Sequence, residues 1–393
     1  MGALQTDISQ ASGAYRERAR EVVRSFAPDA PEWERAGHLP RALFTALGSA
    51  GIFRDRWRHG AVSGLPFARA MVEELALVNG GAALAVSIHS EVFVNALYQF
   101  GGSRHHEVLQ RALGGEAVGC IAATEAGGGS DLAAIRVQAT RTTSGWHLDG
   151  AKCFTTNAGR ASHALVLART AGHGQEFTLF LVPLDAHGVR IKGFFNTLGV
   201  RSADTAAIEF DVDLPESAVV GRPGSGMFFI LKVLDFERVA AATGLVAGAR
   251  YALGLAVAYM RDRTQFGKRL FDHQALRHRL TDRWAEVEAA AALLDRACEP
   301  VRGTFLGHHQ VAAAKLVAAR SCGAAIDEVL QVFGARGFTE AYPLERMYRD
   351  ARLTRIGGGT DEVLREIISL HLDVEHPGLR SALDELRRND GTP

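Results

Sequence analysis

The stretch RVQATRTTSGWHLDGAKCF, residues 136–154, is where the chain changes its period. Apolar and polar residues alternate along it, and Ser-Gly and Asp-Gly pairs punctuate it. This is the pattern of half-buried strands joined by hairpins, with TTSGW and LDGAK as the turns. HALVLART, FTLFLVPL and TAAIEFDVDLP continue it to about residue 227. On the N-terminal side, YRERAREVVRSFA, RALFTALGSAGI and PFARAMVEELALVNGGAALAVSIHSEVFVNALYQFG carry apolar residues three and four apart, the period of a helix. Gly51, Gly80–Gly81 and Gly101–Gly102 mark expected helix stops. On the C-terminal side long Ala-rich helical runs return, ending in TDEVLREIISL. The expected fold is α+β in three parts: an N-terminal helical domain (1–118), a central antiparallel β-barrel or sandwich (119–227) and a C-terminal four-helix bundle (228–393). The polar tail after His371 is expected to fray.

At 393 residues the chain is too long for one small core. Lys+Arg and Asp+Glu balance at 44 each, which gives no basic surplus for nucleic acid and no acidic tail. No apolar run reaches the ~20 residues of a membrane span, and the N-terminus lacks an export-signal layout. A cytoplasmic protein without membrane or nucleic-acid partner is therefore expected. Gly2 with Thr6 fits a myristoylation pattern loose enough to arise by chance. Cys120, Cys153, Cys298 and Cys322 have no metal or redox spacing and read as small core residues. His105-His106 and His308-His309 are adjacent pairs, which diverge on a helix, so no metal site is expected. No GxGxxG turn opens a βαβ unit.

Five motifs carry candidate chemistry. In CIAATEAGGGSDLAAI (120–135) a strand runs into a loop with hydroxyls and glycines that can approach a ring or a phosphate; the plainer reading is a turn with Asp131 as a helix cap. In GAKCFTTNAG (150–159) an aromatic and two threonines end a strand, where a ring can lie on a planar cofactor. In RDRTQFGKRLFDHQAL (261–276) Arg263 suits a pyrophosphate and Phe266 an adenine; the plainer reading is a basic helix C-terminus. Finally come QVFGARGFTEAYPLERMYRDARL (331–353) and RIGGGTDEV (355–363).

In this order and spacing the motifs resemble the acyl-CoA dehydrogenase family of flavoproteins, over about residues 10–370. The resemblance implies a homotetramer with FAD bound between subunits, an acyl-CoA or acyl-carrier-protein substrate, and an electron-transfer flavoprotein as oxidant. It implies that Thr124 and Ser130 contact flavin or substrate, that Phe154 packs on the isoalloxazine, and that Thr156 sits at its N5 edge. It assigns Arg263, Phe266, Gln274 and Gln331 to a neighbour's FAD, and Thr360 and Glu362 to the ribityl and diphosphate. Arg201, in LGVRSADT, matches an arginine of structural role.

The reaction implied is α,β-dehydrogenation of an acyl thioester: a carboxylate removes the α-proton while the β-hydride goes to flavin N5. Many members carry that carboxylate directly before the Gly-Thr of the glycine loop, where this chain has Gly358. The base is expected instead at Glu237 in VLDFERVAAA, an acid among apolar neighbours. Read alone, Glu237 is as well explained by an exposed face or a pair with Arg238 or Arg250. The resemblance favours catalysis, because the isovaleryl-CoA and long-chain branches carry their base on this helix as Glu-Arg, with Gly or Ala on the loop. Arg238 is then expected beside the substrate with Ser130, and the Gly358 N–H at the thioester carbonyl.

Asp361 and Glu362 read as caps or FAD contacts, and Trp146 and Trp284 as packing residues. The stretch GIFRDRWRHG departs from the family: Arg54, Arg56, Arg58 and His59 form a basic segment that would suit an acidic carrier protein, or is simply solvated. Two competing readings keep the fold: a flavin monooxygenase or oxidase that uses O₂, and a non-catalytic assembly-forming relative.

Overall fold

The computed structural model describes residues 2–170, 176–299, 306–375 and 378–389. Helices come first: α1 (Gly2–Phe26), α2 (Ala30–Ala36), α3 (Arg41–Ser49), α4 (Ile52–Arg58), α5 (Leu65–Val78), α6 (Gly80–Ser87) and α7 (His106–Leu113). Asn79 ends α5 and caps α6 by accepting from Ala82 N–H at 2.8 Å, so the Gly80–Gly81 break falls one residue early. Wide π-type turns carry α6 on to Gly101, and Gly102 at φ 65 stops it. This extension buries Glu91, whose carboxylate receives Arg56 of α4 at 2.7 Å; both residues are 0 % exposed. Arg56 therefore locks α4 to the core and is absent from any basic rim. Arg54 and Arg58 remain exposed.

The central unit is a sheet: β1 (Gly119–Ala122), β2 (Gln138–Arg141), β3 (Gly145–Thr155), β4 (His163–Thr170), β5 (Glu176–Pro183), β6 (Val189–Phe194), β7 (Ala206–Pro215) and β8 (Val219–Val220). Its order is β6-β7-β3-β2-β4-β5-β8, with β1 also beside β4. Most pairs are antiparallel as expected, but β1 and β2 both run parallel to β4, so the sheet is mixed. TTSGW is the β2–β3 turn, closed by Thr142 N–H to Gly145 O. LDGAK is not a turn. Asp149 and Gly150 pair inside β3, and Gly150 is glycine because a β-carbon there would stand 2.9 Å from Val137.

The chain then enters α8 (Gly226–Asp262), the hairpin β9 (Thr264–Gln265) and β10 (Lys268–Arg269), α9 (Gln274–Ala297), α10 (His308–Phe333), α11 (Leu344–Leu353), α12 (Asp361–Glu375) and α13 (Gly378–Asn389). The tail after His371 thus continues as helix instead of fraying. Apolar faces of α8, α9 and α10 form one core, and the first seven helices form another that reaches the sheet. Gly80–Gly101 and Gly226–Asp262 are long and apolar enough to cross a membrane, contrary to the run-length expectation, but 89 % and 61 % of their apolar windows are buried within the fold. Trp146 packs as expected, with Nε1–H donated to Glu216; Trp284 does not, being 56 % exposed on α9.

Candidate active site

Two parts of the fold gather the predicted residues. The first is the loop after β1. Glu125 shapes it: its carboxylate accepts the N–H groups of Arg136 and Val137 and the buried ammonium of Lys152 at 2.7–2.9 Å. The Cys153 N–H donates to Thr124 O at 2.9 Å, which sets Thr124 beside Phe154 and Thr156 at the end of β3. A β-carbon on Gly129 would touch the Thr124 side chain at 3.3 Å, so exposed Ser130 belongs to the same cluster. Asp131 caps the following short turn through Ala133 N–H.

The second part is where α8 meets the glycine loop between α11 and α12. Glu237 is 6 % exposed, and its Oε2 has no hydrogen-bond partner among the described residues. Arg250 is engaged by Glu288, and Arg238 by Asp235 at 3.0 Å, so neither forms the ordinary ion pair that would explain Glu237. Burial pushes the Glu237 carboxyl above the usual carboxylate range, against the opposing pull of Lys315 and Arg238. Gly358 lies against it at φ 65, and a β-carbon there would stand 2.8 Å from the Glu237 carboxyl carbon. A side chain at 358 would have to push the Glu237 carboxylate aside.

Arg238 differs from its expected role at the substrate. It is 2 % exposed, and its guanidinium donates to Gly358 O at 2.8 Å and to Asp235. Asp235 also meets His308 at 2.7 Å. Lys315 of α10, fully buried, donates to the carbonyls of Gly357 and Gly359. Thr360 caps α12 by accepting Val363 N–H, exposed Glu362 pairs with Arg365, and Asp361 is buried against Arg355.

Lys315, Asp235 and His308 escaped the sequence reading. For Lys315 the signal existed: VAAAKLVAA is a lone charge in an apolar run, as Glu237 is.

Glu237 lines an apolar cavity between α5, α6, α8 and α11. Its α8 wall is made of small residues, Ala240, Ala241, Gly244 and Gly248, with Val72 and Met347 opposite.

The residues fit a flavin dinucleotide. Among the described residues five non-glycines hold positive φ, and two of them are Phe154 (54) and Phe266 (53), the aromatics expected on an isoalloxazine and on a neighbour's adenine. Such strain collects where a fold presents a side chain to a ligand. Phe154 is 59 % exposed and stacked on Phe195, Phe266 is 93 % exposed at the β9–β10 tip, and the Thr155 hydroxyl beside Phe154 is buried without a partner among the described residues. Arg263, Phe266, Gln274 and Gln331 lie together at the other end of α8, where Tyr259 stacks on Phe333 and accepts Arg263 N–H. Glu237 and Asp262 are about 37 Å apart along α8 at ~1.5 Å per residue. Arg201 is exposed and donates to Thr197 O.

Residues 9–116, 120–212 and 224–372 match the acyl-CoA dehydrogenase N-terminal, middle and C-terminal domains. The acyl-[acyl-carrier-protein] dehydrogenase MbtN of Mycolicibacterium paratuberculosis is 32% identical over 96% of this chain and 99% of its own length. The solved butyryl-CoA dehydrogenase of Megasphaera elsdenii superposes with a TM-score of 0.86 at 28% identity, covering 92% of this chain and 97% of that one. A glutaryl-CoA dehydrogenase of Mycobacterium smegmatis in complex with FADH2 gives 0.86 at 25% identity, covering 92% and 94%. With all three domains matched in order, the chain belongs to the acyl-CoA dehydrogenase family.

Proposed function

We propose that this protein is an FAD-dependent oxidoreductase that converts a long-chain acyl thioester to its 2-enoyl thioester. The observation that carries the reading is the Glu237 carboxylate, buried against Gly358 and opening on an apolar cavity, with its Oε2 unpartnered among the described residues. The α-proton of a thioester is weakly acidic, so its base must be poorly solvated and its carbonyl polarised. Glu237 meets the first need. The Gly358 N–H, which donates to no described residue, meets the second by hydrogen-bonding the thioester oxygen as negative charge builds there. Glu237 then takes the α-proton while the β-carbon loses hydrogen with its electron pair.

Thr124, Ser130, Phe154 and Thr156 would hold the flavin ring, and Thr360 with Glu362 its ribityl and phosphates. Bound FAD supplies the two-electron acceptor. Arg263, Phe266, Gln274 and Gln331 lie too far from Glu237 to serve the same FAD, which supports a homotetramer whose subunits share their cofactors.

The cavity favours a linear chain. Glu237 and Gly248 line it eleven residues apart on α8, about 16 Å at ~1.5 Å per residue. An extended backbone advances ~3.5 Å per three bonds, so this depth takes roughly a dozen carbons. Similarity to MbtN, named for an acyl-carrier-protein substrate, supports a carrier-bound thioester; Arg54 and Arg58 remain available to an acidic carrier, whereas Arg56 does not. An electron-transfer flavoprotein is the proposed acceptor. Anaerobic mixing with dodecanoyl thioester tests the reading: the flavin should bleach without a reductase. A flavin that needs NAD(P)H or O₂ to turn over would replace it with the oxygenase reading.

A further inference from the structure

Three successive glycines have no side chains to anchor them, yet residues 357–359 must stand still against Glu237. Their carbonyls all end on buried cations. Lys315 donates to Gly357 O and Gly359 O, and Arg238 donates to the intervening Gly358 O. Hydrogen bonds from an ionised donor are roughly twice as strong as neutral ones. A trans peptide sets its C=O and N–H on opposite sides. With Gly357 O drawn onto Lys315, the Gly358 N–H is turned away from Lys315 and left without a described partner. A free donor and the free Glu237 Oε2 thus lie side by side.

Building on the acyl-thioester reading, we infer that Lys315 is a positioning residue: by holding the carbonyls on either side of Gly358 it aims that residue's N–H at the thioester oxygen. Arg238 fixes the middle carbonyl and is itself held by Asp235, which His308 backs. Burial works against the Lys315 ammonium, pulling it down to about 8, while Glu237 and Asp361 favour its charge and Arg238 opposes it. A charge retained under that cost, with both acceptors in the catalytic loop, marks a device beyond ordinary packing.

The test uses flavin-loaded Lys315→Met and 3-oxododecanoyl-CoA, whose α-proton is lost without oxidation, so the bound enolate is read by its ultraviolet absorbance. The enolate pKa should rise by at least ~1 unit. The flavin-reduction rate with dodecanoyl-CoA should fall at least ~10²-fold, as for loss of an oxyanion donor. Thioester affinity should stay within ~3-fold, because the lost contact strengthens only as charge develops. Lys315→Arg, which keeps a charged donor fork, should recover part of both. Wild-type enolate pKa and rate in folded Lys315→Met would overturn the assignment. If that variant does not fold, Lys315→Gln carries the test: a rate more than ~3-fold below wild type supports the assignment, and a rate within ~3-fold overturns it. Failure of the underlying reading looks different: no acyl thioester would bleach even the wild type.

Discussion

A β-carbon on Gly358 would stand 2.8 Å from the carboxyl carbon of Glu237, and closer still to its Oε2. The absent side chain on the loop and the acid on α8 are two halves of one arrangement. Gly358→Ala should therefore displace the base as well as strain the loop. A left-handed residue costs roughly 1–2 kcal/mol more with a β-carbon. Reductive rate should fall by at least ~10² with flavin retained, since small misplacements at a reacting centre are that costly. Stopped-flow bleaching checks it.

The same overlap governs transplantation of the base. Gly358→Glu with Glu237→Gln should gain little over Glu237→Gln alone, because the new side chain must first push the glutamine aside. Gly358→Glu with Glu237→Gly removes the overlap and should regain at least ~10-fold over Glu237→Gln, while staying below wild type. Equal rates in the two double variants would show that the overlap is irrelevant.

Chain-length selectivity should follow the α8 wall. A β-carbon on Gly244 would meet Val72 and Ala76 at 3.5 and 3.6 Å, ordinary contact, so only a longer side chain enters the cavity. Gly244→Leu should lower kcat/KM for dodecanoyl thioester by ~10²-fold, equivalent to excluding three or four methylenes at ~0.8 kcal/mol each. Butyryl turnover should change by less than ~5-fold on the same reckoning. A parallel loss for both substrates would remove the cavity from the acyl path.

The pH profile should be bell-shaped. Only ionised Glu237 accepts a proton, and burial raises its pKa, so the rate rises with pH through a limb above the usual ~4.3 of glutamate. Lys315 stays charged below about 8, so the rate falls as pH passes that value. The groups that face Lys315 are Glu237 and Arg238 of α8, Asp361 of α12 and the loop carbonyls. Lys315→Met should flatten the alkaline limb. It should also move the acid limb to higher pH, because the Lys315 charge now helps Glu237 ionise.

The order helix, sheet, helix is legible from the switch of period near residue 136, because each period reports which face is buried. Glu237 is legible because a short acid in an apolar run cannot reach water. Lys315 follows the same rule less visibly, since a lysine's long stem normally lets its charge escape to the surface. Arg56 misleads because its partner Glu91 is 35 residues away, beyond any local pattern. The Asp-Gly of β3 imitates a turn, and only the approach of Val137 shows why glycine is there. Phe266, Gln274 and Gln331 are exposed in the single chain, where no local pattern shows what they meet.

Whether Glu237 removes the α-proton is decided by Glu237→Gln. The amide is nearly isosteric and leaves the Gly358 loop, Arg238 and Lys315 in place. Purified yellow and mixed anaerobically with dodecanoyl thioester, this variant should bleach at least ~10³-fold more slowly than wild type, within the range for loss of a general base. Bleaching at the wild-type rate would contradict the account and return Asp361 and Glu362 to consideration.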